Sequence, residues 1–182
     1  MRCERTFSQA TPRASTISAD SRRNLPIEVM GHRRDLIRMS EDEALAFLRA
    51  HRRLQVATLN SDGSAHLSTV WYAMHEVAPC FVTYTKTQKI VNLRRDPRIT
   101  VSVDTGDDYE SLQGVVVYGL ARLLTDLDAL PYLRQIVGAR DHQATVAEIE
   151  QQSIALADKR TVVVVQRQRM VSWDHRKLKG IY

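Results

Sequence analysis

The chain has 182 residues, of which 43% are hydrophobic and 26% are charged, a composition typical of one globular domain. Its longest apolar run, residues 115–121, is far shorter than the roughly 20 residues that cross a bilayer, and no apolar secretory signal opens the chain. The two cysteines are too few for a disulfide framework or a cysteine-based metal site, so we expect a cytoplasmic protein.

The net charge of +5 is concentrated near the N-terminus. Residues 1–38 hold eight arginines and four carboxylates, a net charge of +4, which leaves +1 for the remainder. These residues show no sustained helical or strand period, so we predict a disordered or loosely docked basic arm followed by a folded domain at 39–182. A nucleic-acid-binding domain would carry its basic residues on the folded part. We therefore expect neither nucleic acid nor membrane as a partner, although an arm that tethers the protein to either one remains an alternative.

Periodicity and turn residues predict the elements of the first half of the domain. Ser40-Glu41-Asp42-Glu43 is a capping box, which begins a helix that runs to about His51. Three strands are predicted to follow, the first two joined by an Asp-Gly turn. A short helix then ends at Asp96-Pro97, because the residue before a proline is driven out of the helical region. The predicted ranges are 54–59, 65–74 and 80–85 for the strands, 87–95 for the helix and 98–103 for a fourth strand.

The second half begins with an acidic loop at 104–111, which lacks the ligand spacing of a calcium loop and is predicted to be solvated. A fifth strand is predicted at 113–125, and its scarcely alternating apolar residues are typical of a strand covered on both faces, as at a subunit interface. We expect Asp128 to cap a helix that has Pro131 in its first turn and ends at Gly138. A second helix at 144–157 and a sixth strand at 161–168 complete a mainly β, α+β pattern that suits a small β-barrel with helical caps.

The turn between the third strand and the following helix has the chemistry of an anion site. Residues 84–89, read as YTKTQK, crowd hydroxyl and ammonium groups where a helix begins. Unpaired backbone N–H groups and the positive end of the helix dipole favour an anion there, and a phosphate is the natural occupant. The alternative is that Lys86 and Lys89 form only the solvent-facing side of a short helix.

The remaining motifs point away from hydrolysis and metal chemistry. No pattern of nucleophile and base is present, and His66, His75 and His175 lack the close spacing of metal ligands, so we expect no metal. An enzyme without such groups can still transfer a hydride, because a bound cofactor then carries the reactivity. The sequence therefore identifies no catalytic residue of its own.

The order HLSTVWY, then FVTYT, then KIVNLRRDPRITV resembles the pyridoxamine 5'-phosphate oxidase-like superfamily of split β-barrel flavin and deazaflavin oxidoreductases. The resemblance covers 39–182, and within the superfamily the chain is most similar to the branch that uses the deazaflavin coenzyme F-420. Its most specific pieces are NLRRDPR before a strand and SEDEALAFL before the first strand. It implies a six-stranded antiparallel split β-barrel, the FMN-binding split barrel, with peripheral helices, which forms a homodimer with cofactor sites at the interface.

The resemblance also implies the residues that bind the cofactor. The second strand would run along the polar edge of the ring, the strand-to-helix turn would bind the phosphate with Lys89 as its main charge partner, and a tryptophan near the C-terminus would pack over the cofactor across the dimer interface. Gln88 falls where many relatives carry arginine. Ordinary strand residues and a tryptophan that anchors the chain end are the alternatives. The implied residues are Ser68, Thr69, Val70 and Trp71 for the ring, Tyr84, Thr85, Lys86, Thr87 and Lys89 for the phosphate, and Trp173.

The expected function is hydride transfer from reduced F-420 to a small unsaturated or quinone-like substrate. The alternatives are an FMN-dependent oxidoreductase of the same fold and a non-catalytic protein that binds a flavin or deazaflavin. The basic end, with Arg176, Lys177 and Lys179, could meet the anionic tail of the coenzyme or be solvated. Because HLSTVWY replaces the arginine-rich strand of true pyridoxamine-phosphate oxidases, we do not predict synthesis of pyridoxal phosphate.

Overall fold

The structure is a computed structural model that describes residues 33–178. Most of the predicted basic arm therefore lies outside the described residues, together with Cys3 and Lys179. Residues 33–37, which belong to the segment predicted as an arm, form a short helix. No helix in the described range is long and apolar enough to cross a membrane.

Eleven helices and strands make up the described chain, with short 3-10 turns at Tyr109–Ser111 and His175–Leu178. In chain order they are α1 (Arg33–Ile37), α2 (Glu41–Ala50), β1 (Arg53–Leu59), β2 (Ala65–His75), β3 (Ala78–Tyr84), α3 (Gln88–Arg95), β4 (Arg98–Thr105), β5 (Gln113–Leu124), α4 (Asp126–Arg140), α5 (Val146–Ala157) and β6 (Arg160–Asp174).

The six strands close into one antiparallel barrel in the order β1-β2-β3-β6-β5-β4, with β4 paired back onto β1. Alternate residues of each strand point inward, so one side of every strand fills the barrel with branched and aromatic side chains such as Leu54, Val56, Phe81, Val101 and Val115. α2 packs against this core, α4 covers the outer face of β2, β3 and β6, and α5 packs against α4 and β6. The predicted six-stranded antiparallel barrel with peripheral helices is confirmed.

The predicted capping box of α2 is present. The Ser40 hydroxyl accepts a hydrogen bond from the Glu43 N–H at 3.1 Å, and the Glu43 carboxylate accepts from the Ser40 N–H at 2.7 Å. At the other end of α2, the buried Tyr72 hydroxyl donates to the Leu48 carbonyl at 2.5 Å. These bonds satisfy backbone groups that a helix end leaves unpaired and fix α2 against β2.

The boundaries predicted for α4 are wrong. Thr125, not Asp128, is the N-cap residue, Pro131 lies in the second turn, and the helix continues through Gly138 to Arg140. A Cβ at Gly138 would lie 3.4 Å from the Ile149 Cδ1 of α5. Gly138 therefore lies within the helix, on the side that faces α5, rather than at a helix end.

The sixth strand is longer than predicted, since β6 continues beyond Gln168 to Asp174. Its polar residues 166–169 are exposed, so they carry no apolar alternation that the sequence could show. Pairing with β5 nevertheless continues to the Gln113–Asp174 pair, past a bulge between Tyr118 and Gly119. In β5, Val115 and Val117 are buried, and the outward Val116, Tyr118 and Leu120 are half-buried. Its cover by a second subunit stays a prediction.

Candidate functional site

The barrel opens between β2 and β3, next to the turn predicted to bind phosphate. The ladder between these strands joins only Tyr72–His75 to Ala78–Phe81, although both strands continue. The same register would place Val70 opposite Thr83, but the described strands form no pair there. Residues 65–71 of β2 are paired with β1 on one side only. Their other backbone edge is therefore available to a ligand.

The four predicted ring-binding residues lie on this half-paired segment and alternate between two faces. Val70 and Ser68 stand opposite Leu54 and Val56, which point into the barrel. Thr69 and Trp71 point outward, and the Trp71 side chain is 53% exposed. The Ser68 Oγ is buried without a hydrogen-bond partner among the described residues. An orphaned buried hydroxyl is unusual, and it lies on the strand to which the ring was assigned.

Lys89 is the central feature of the turn. It is only 9% exposed, and within the described chain its ammonium group forms no ion pair or hydrogen bond. Removal from water lowers its pKa below the ordinary 10.5, because burial disfavours the charged form. The nitrogen itself still reaches water, so this partner-free ammonium group is placed to meet an anion that arrives from solution. The side chain of Lys89 is thus largely buried whereas Lys86 is exposed, and the binding of a phosphate by Lys89 stays a prediction.

Hydroxyl groups and a helix end surround this turn. Thr87 is the N-cap residue of α3 but makes no side-chain cap bond, and its Oγ1 lies 3.5 Å from the Thr83 Oγ1. The Thr161 hydroxyl donates to the Thr85 Oγ1 at 3.1 Å. The turn thus combines hydroxyls, an uncapped helix N-terminus and the partner-free ammonium group of a largely buried lysine, which are groups that can bind a phosphate.

The sequence did not reveal two residues at this turn. Thr161 and Arg160 pair with Thr83 and Tyr84 across the β3–β6 ladder, and the Arg160 guanidinium lies 4.0 Å from the centroid of the Tyr84 ring. Nothing in the local sequence could have identified them, because the two strands are far apart along the chain. The Arg160 guanidinium thus packs over the half-exposed Tyr84 ring and adds a second cation, besides Lys89, near this turn.

Trp173 is not brought to this turn within one chain. It pairs with Gly114, where a Cβ would lie 2.1 Å from the indole ring, so the ring packs against its own chain. Trp173 lies twelve positions after Thr161 in β6, about 40 Å along the strand. Trp173 instead borders a cleft of ≈ 830 Å³ between α1 and β6, together with Arg34, Tyr118 and Arg169. Its predicted role across a dimer interface stays a prediction.

The basic C-terminal residues in the described range are engaged elsewhere. Arg176 pairs with Asp174 at 2.8 Å, a hydrogen-bonded contact that lowers the pKa of that carboxyl group. Lys177 donates to the Glu43 carboxylate at 2.6 Å and to the Arg38 carbonyl at 2.9 Å. Lys177 thus ties the chain end to the start of α2, and a role of either residue toward the coenzyme's anionic tail stays a prediction.

Comparisons with known proteins place the chain in a family. The sequence profile described as pyridoxamine 5'-phosphate oxidase matches residues 40–173. The structure of a conserved hypothetical protein from Mycobacterium tuberculosis is similar, with 35% identity, a TM-score of 0.74, and coverage of 79% of this chain and 89% of that one. A search of curated proteins found no match.

Two more distant structures share the fold alone. One is an F-420 reductase, with 21% identity, a TM-score of 0.52, and coverage of 69% of this chain and 93% of that one. The other is an FAD-binding protein from Mycobacterium smegmatis, with 18% identity, a TM-score of 0.53, and coverage of 75% and 95%. Together with the closed six-stranded barrel, the profile match over well over half of the chain shows that it belongs to the pyridoxamine 5'-phosphate oxidase family.

Proposed function

We propose that this protein is an oxidoreductase that uses the deazaflavin coenzyme F-420 to transfer a hydride to a small unsaturated or quinone-like substrate. The observation that carries the proposal is Lys89, a largely buried lysine at the start of α3 whose ammonium group reaches water and has no partner in the described chain. A phosphate-bearing cofactor would supply the missing negative charge. The open edge of β2 lies beside the same turn and would receive the ring.

The residues present fit such a cofactor in two separate ways. Lys89, the threonine hydroxyls and the first turn of α3 would hold its phosphate. The unpaired edge of residues 65–71 and the orphaned Ser68 hydroxyl would meet the polar edge of its ring. When bound in its reduced form, the coenzyme supplies the hydride. The protein's own contribution is to bind, to orient and to keep water away from the reacting atoms.

The exposed face of β2 supports a small planar substrate. Leu67 and Trp71 are 63% and 53% exposed and flank Thr69 on the outward side of the ring-binding strand. Ligand sites are typically lined by apolar and aromatic side chains with a few polar groups among them. An enone or quinone could stack against this surface while it accepts the hydride.

Flavin use is the second candidate. The family's description and the FAD-binding structural neighbour both support a flavin, and the phosphate turn would serve FMN as well as F-420. The same neighbour supports a third possibility, a protein that binds the cofactor without catalysis. We further propose a homodimer in the cytoplasm, in which a second copy would bring Trp173 to the cofactor. Light scattering on the purified protein tests the dimer.

Fluorescence titration of the full-length protein with F-420 and, separately, FMN tests the proposal. We expect micromolar or tighter binding of F-420, and oxidation of reduced F-420 when a quinone such as menadione is added. Preference for FMN would transfer the same site to a flavin enzyme. Tight binding of a cofactor without turnover of several enones and quinones would favour the non-catalytic protein. Binding of neither cofactor would contradict all three candidate functions.

A further inference from the structure

α3 is held to the β1–β2 hairpin by one buried amide. Asn92 is completely buried, and its Nδ2 donates to the Thr58 Oγ1 at 3.1 Å and to the Asn60 Oδ1 at 2.9 Å. Its Oδ1 accepts a hydrogen bond from the Gln88 Nε2 at 2.9 Å. We call these four residues the Asn92 clamp. The clamp links the end of β1 and its turn to the first residue of α3.

The hairpin end of the clamp is itself well fixed. Asn60 also donates from its side chain to the Ser64 Oγ at 3.1 Å, and its backbone N–H donates to the Ser64 carbonyl at 2.8 Å. Thr58 is 2% exposed within the barrel strand. Both amide hydrogens of Asn92 are therefore used on partners that cannot easily move, and a buried network of this kind specifies a single geometry.

Besides the clamp, α3 reaches this hairpin through the exposed Arg95, which donates to the Leu59 carbonyl. The ring was assigned to β2 and the phosphate to the start of α3, yet β2 and β3 form no ladder beyond Tyr72 and Phe81. Backbone pairing therefore does not set the separation between the two halves of the site. Ile90 and Leu93 anchor α3 in the core, but apolar contacts fix orientation less strictly than directional hydrogen bonds do.

We propose that Asn92 is a positioning residue that sets the start of α3, and with it Lys89, at the correct distance from the ring-binding edge of β2. The inference rests on the proposed function. It makes Asn92 a determinant of affinity for ligands that carry both a ring and a phosphate, although Asn92 itself touches neither. A ligand that has only the ring contacts only the edge of β2, so its affinity does not depend on the distance between that edge and the phosphate turn.

Paired ligands test this role. FMN and riboflavin differ only in the phosphate. The dissociation constant of riboflavin divided by that of FMN therefore measures how much the phosphate strengthens binding. We expect Asn92→Leu to reduce this ratio about tenfold or more and to change riboflavin affinity less than twofold. If the protein prefers F-420, the matched pair is F-420 and its deazaflavin chromophore without the phosphate. Thr58→Val removes a single bond of the clamp with little change in shape and should shift the ratio in the same direction by less.

A matched control separates positioning from general destabilisation. Leu93→Val trims the packing of the same helix outside its first turn, so it should lower Tm and leave the affinity ratio unchanged. Equal weakening of both ligands by the clamp variants, or no weakening, would overturn the positioning role while the cofactor site stood. If the wild type binds no ligand of either pair, the proposed function and this inference fall together. Should Asn92→Leu not fold, the result with Thr58→Val decides.

Discussion

Replacing Lys89 with methionine should affect cofactor binding and the stability of the free protein in opposite directions. Methionine keeps the unbranched shape and removes the charge. A hydrogen bond to a charged group contributes about 1.5–3 kcal/mol, which corresponds to roughly 10- to 150-fold weaker binding of F-420 or FMN. Riboflavin, which lacks the phosphate, should bind the variant and the wild type alike.

The free protein should become more stable after the Lys89→Met substitution, because the lysine is 9% exposed and its ammonium group has no partner in the described chain. Burial lowers the pKa of Lys89 from its ordinary value of 10.5. Below the folded-state pKa the cost of burying the charge is fully present. As the pH rises through that pKa towards 10.5, the unfolded chain binds more protons than the folded one, so the wild type gains stability relative to the variant.

Isothermal titration with each ligand and urea unfolding between pH 7 and 10 measure both effects. Arg94→Met is the matched control, since Arg94 is an exposed cation on the same helix and should change neither quantity appreciably. The reasoning is refuted if Lys89→Met binds FMN and F-420 as tightly as the wild type, or if it loses stability at pH 7 and Arg94→Met does not.

Packing and burial give three further predictions. Gly114→Ala would place a Cβ 2.1 Å from the Trp173 ring, so we expect a loss of about 1–3 kcal/mol and a shifted tryptophan emission; an unchanged spectrum and Tm would contradict this contact. Burial raises the pKa of the Cys80 thiol to about 12. In a Cys3→Ser background we therefore expect no reaction with a disulfide reagent at pH 8 until the protein unfolds. Rapid labelling of the folded protein would show instead that the region around Cys80 opens. Tyr72→Phe removes the hydroxyl that donates to the Leu48 carbonyl, which should cost about 0.5–1.5 kcal/mol in urea unfolding, whereas no loss would mean that water replaces the bond.

Local signals predicted most of the elements, and the misses have physical causes. The capping box at Ser40 and the stop at Asp96-Pro97 were visible because each depends on neighbouring residues. Gly138 was read as a helix end, since a sequence cannot show that Ile149 packs against it. The last part of β6 was missed because pairing with β5, rather than apolar alternation, keeps it extended.

For the candidate site too, some features were predicted from the sequence and others required the fold. The residue types at 84–89 predicted an anion site, and the family resemblance implied Lys89 as its main charge partner. Its burial, the partner-free ammonium group and the approach of Thr161 and Arg160 required the fold, because these depend on the β3–β6 pairing. For Trp173, the fold gave a contact with Gly114 that the sequence offered no means to foresee.

By itself the sequence predicted a mainly β domain, the succession of its strands along the chain and a turn suited to bind a phosphate. These features depend on hydrophobic period, capping and turn chemistry, which act over a few residues. Only the tertiary structure decided that β2 and β3 separate beside that turn and that Asn92 joins α3 to the hairpin across the opening. Strand pairing and buried hydrogen bonds join residues distant along the chain. Their geometry is fixed only when the barrel closes and water is excluded.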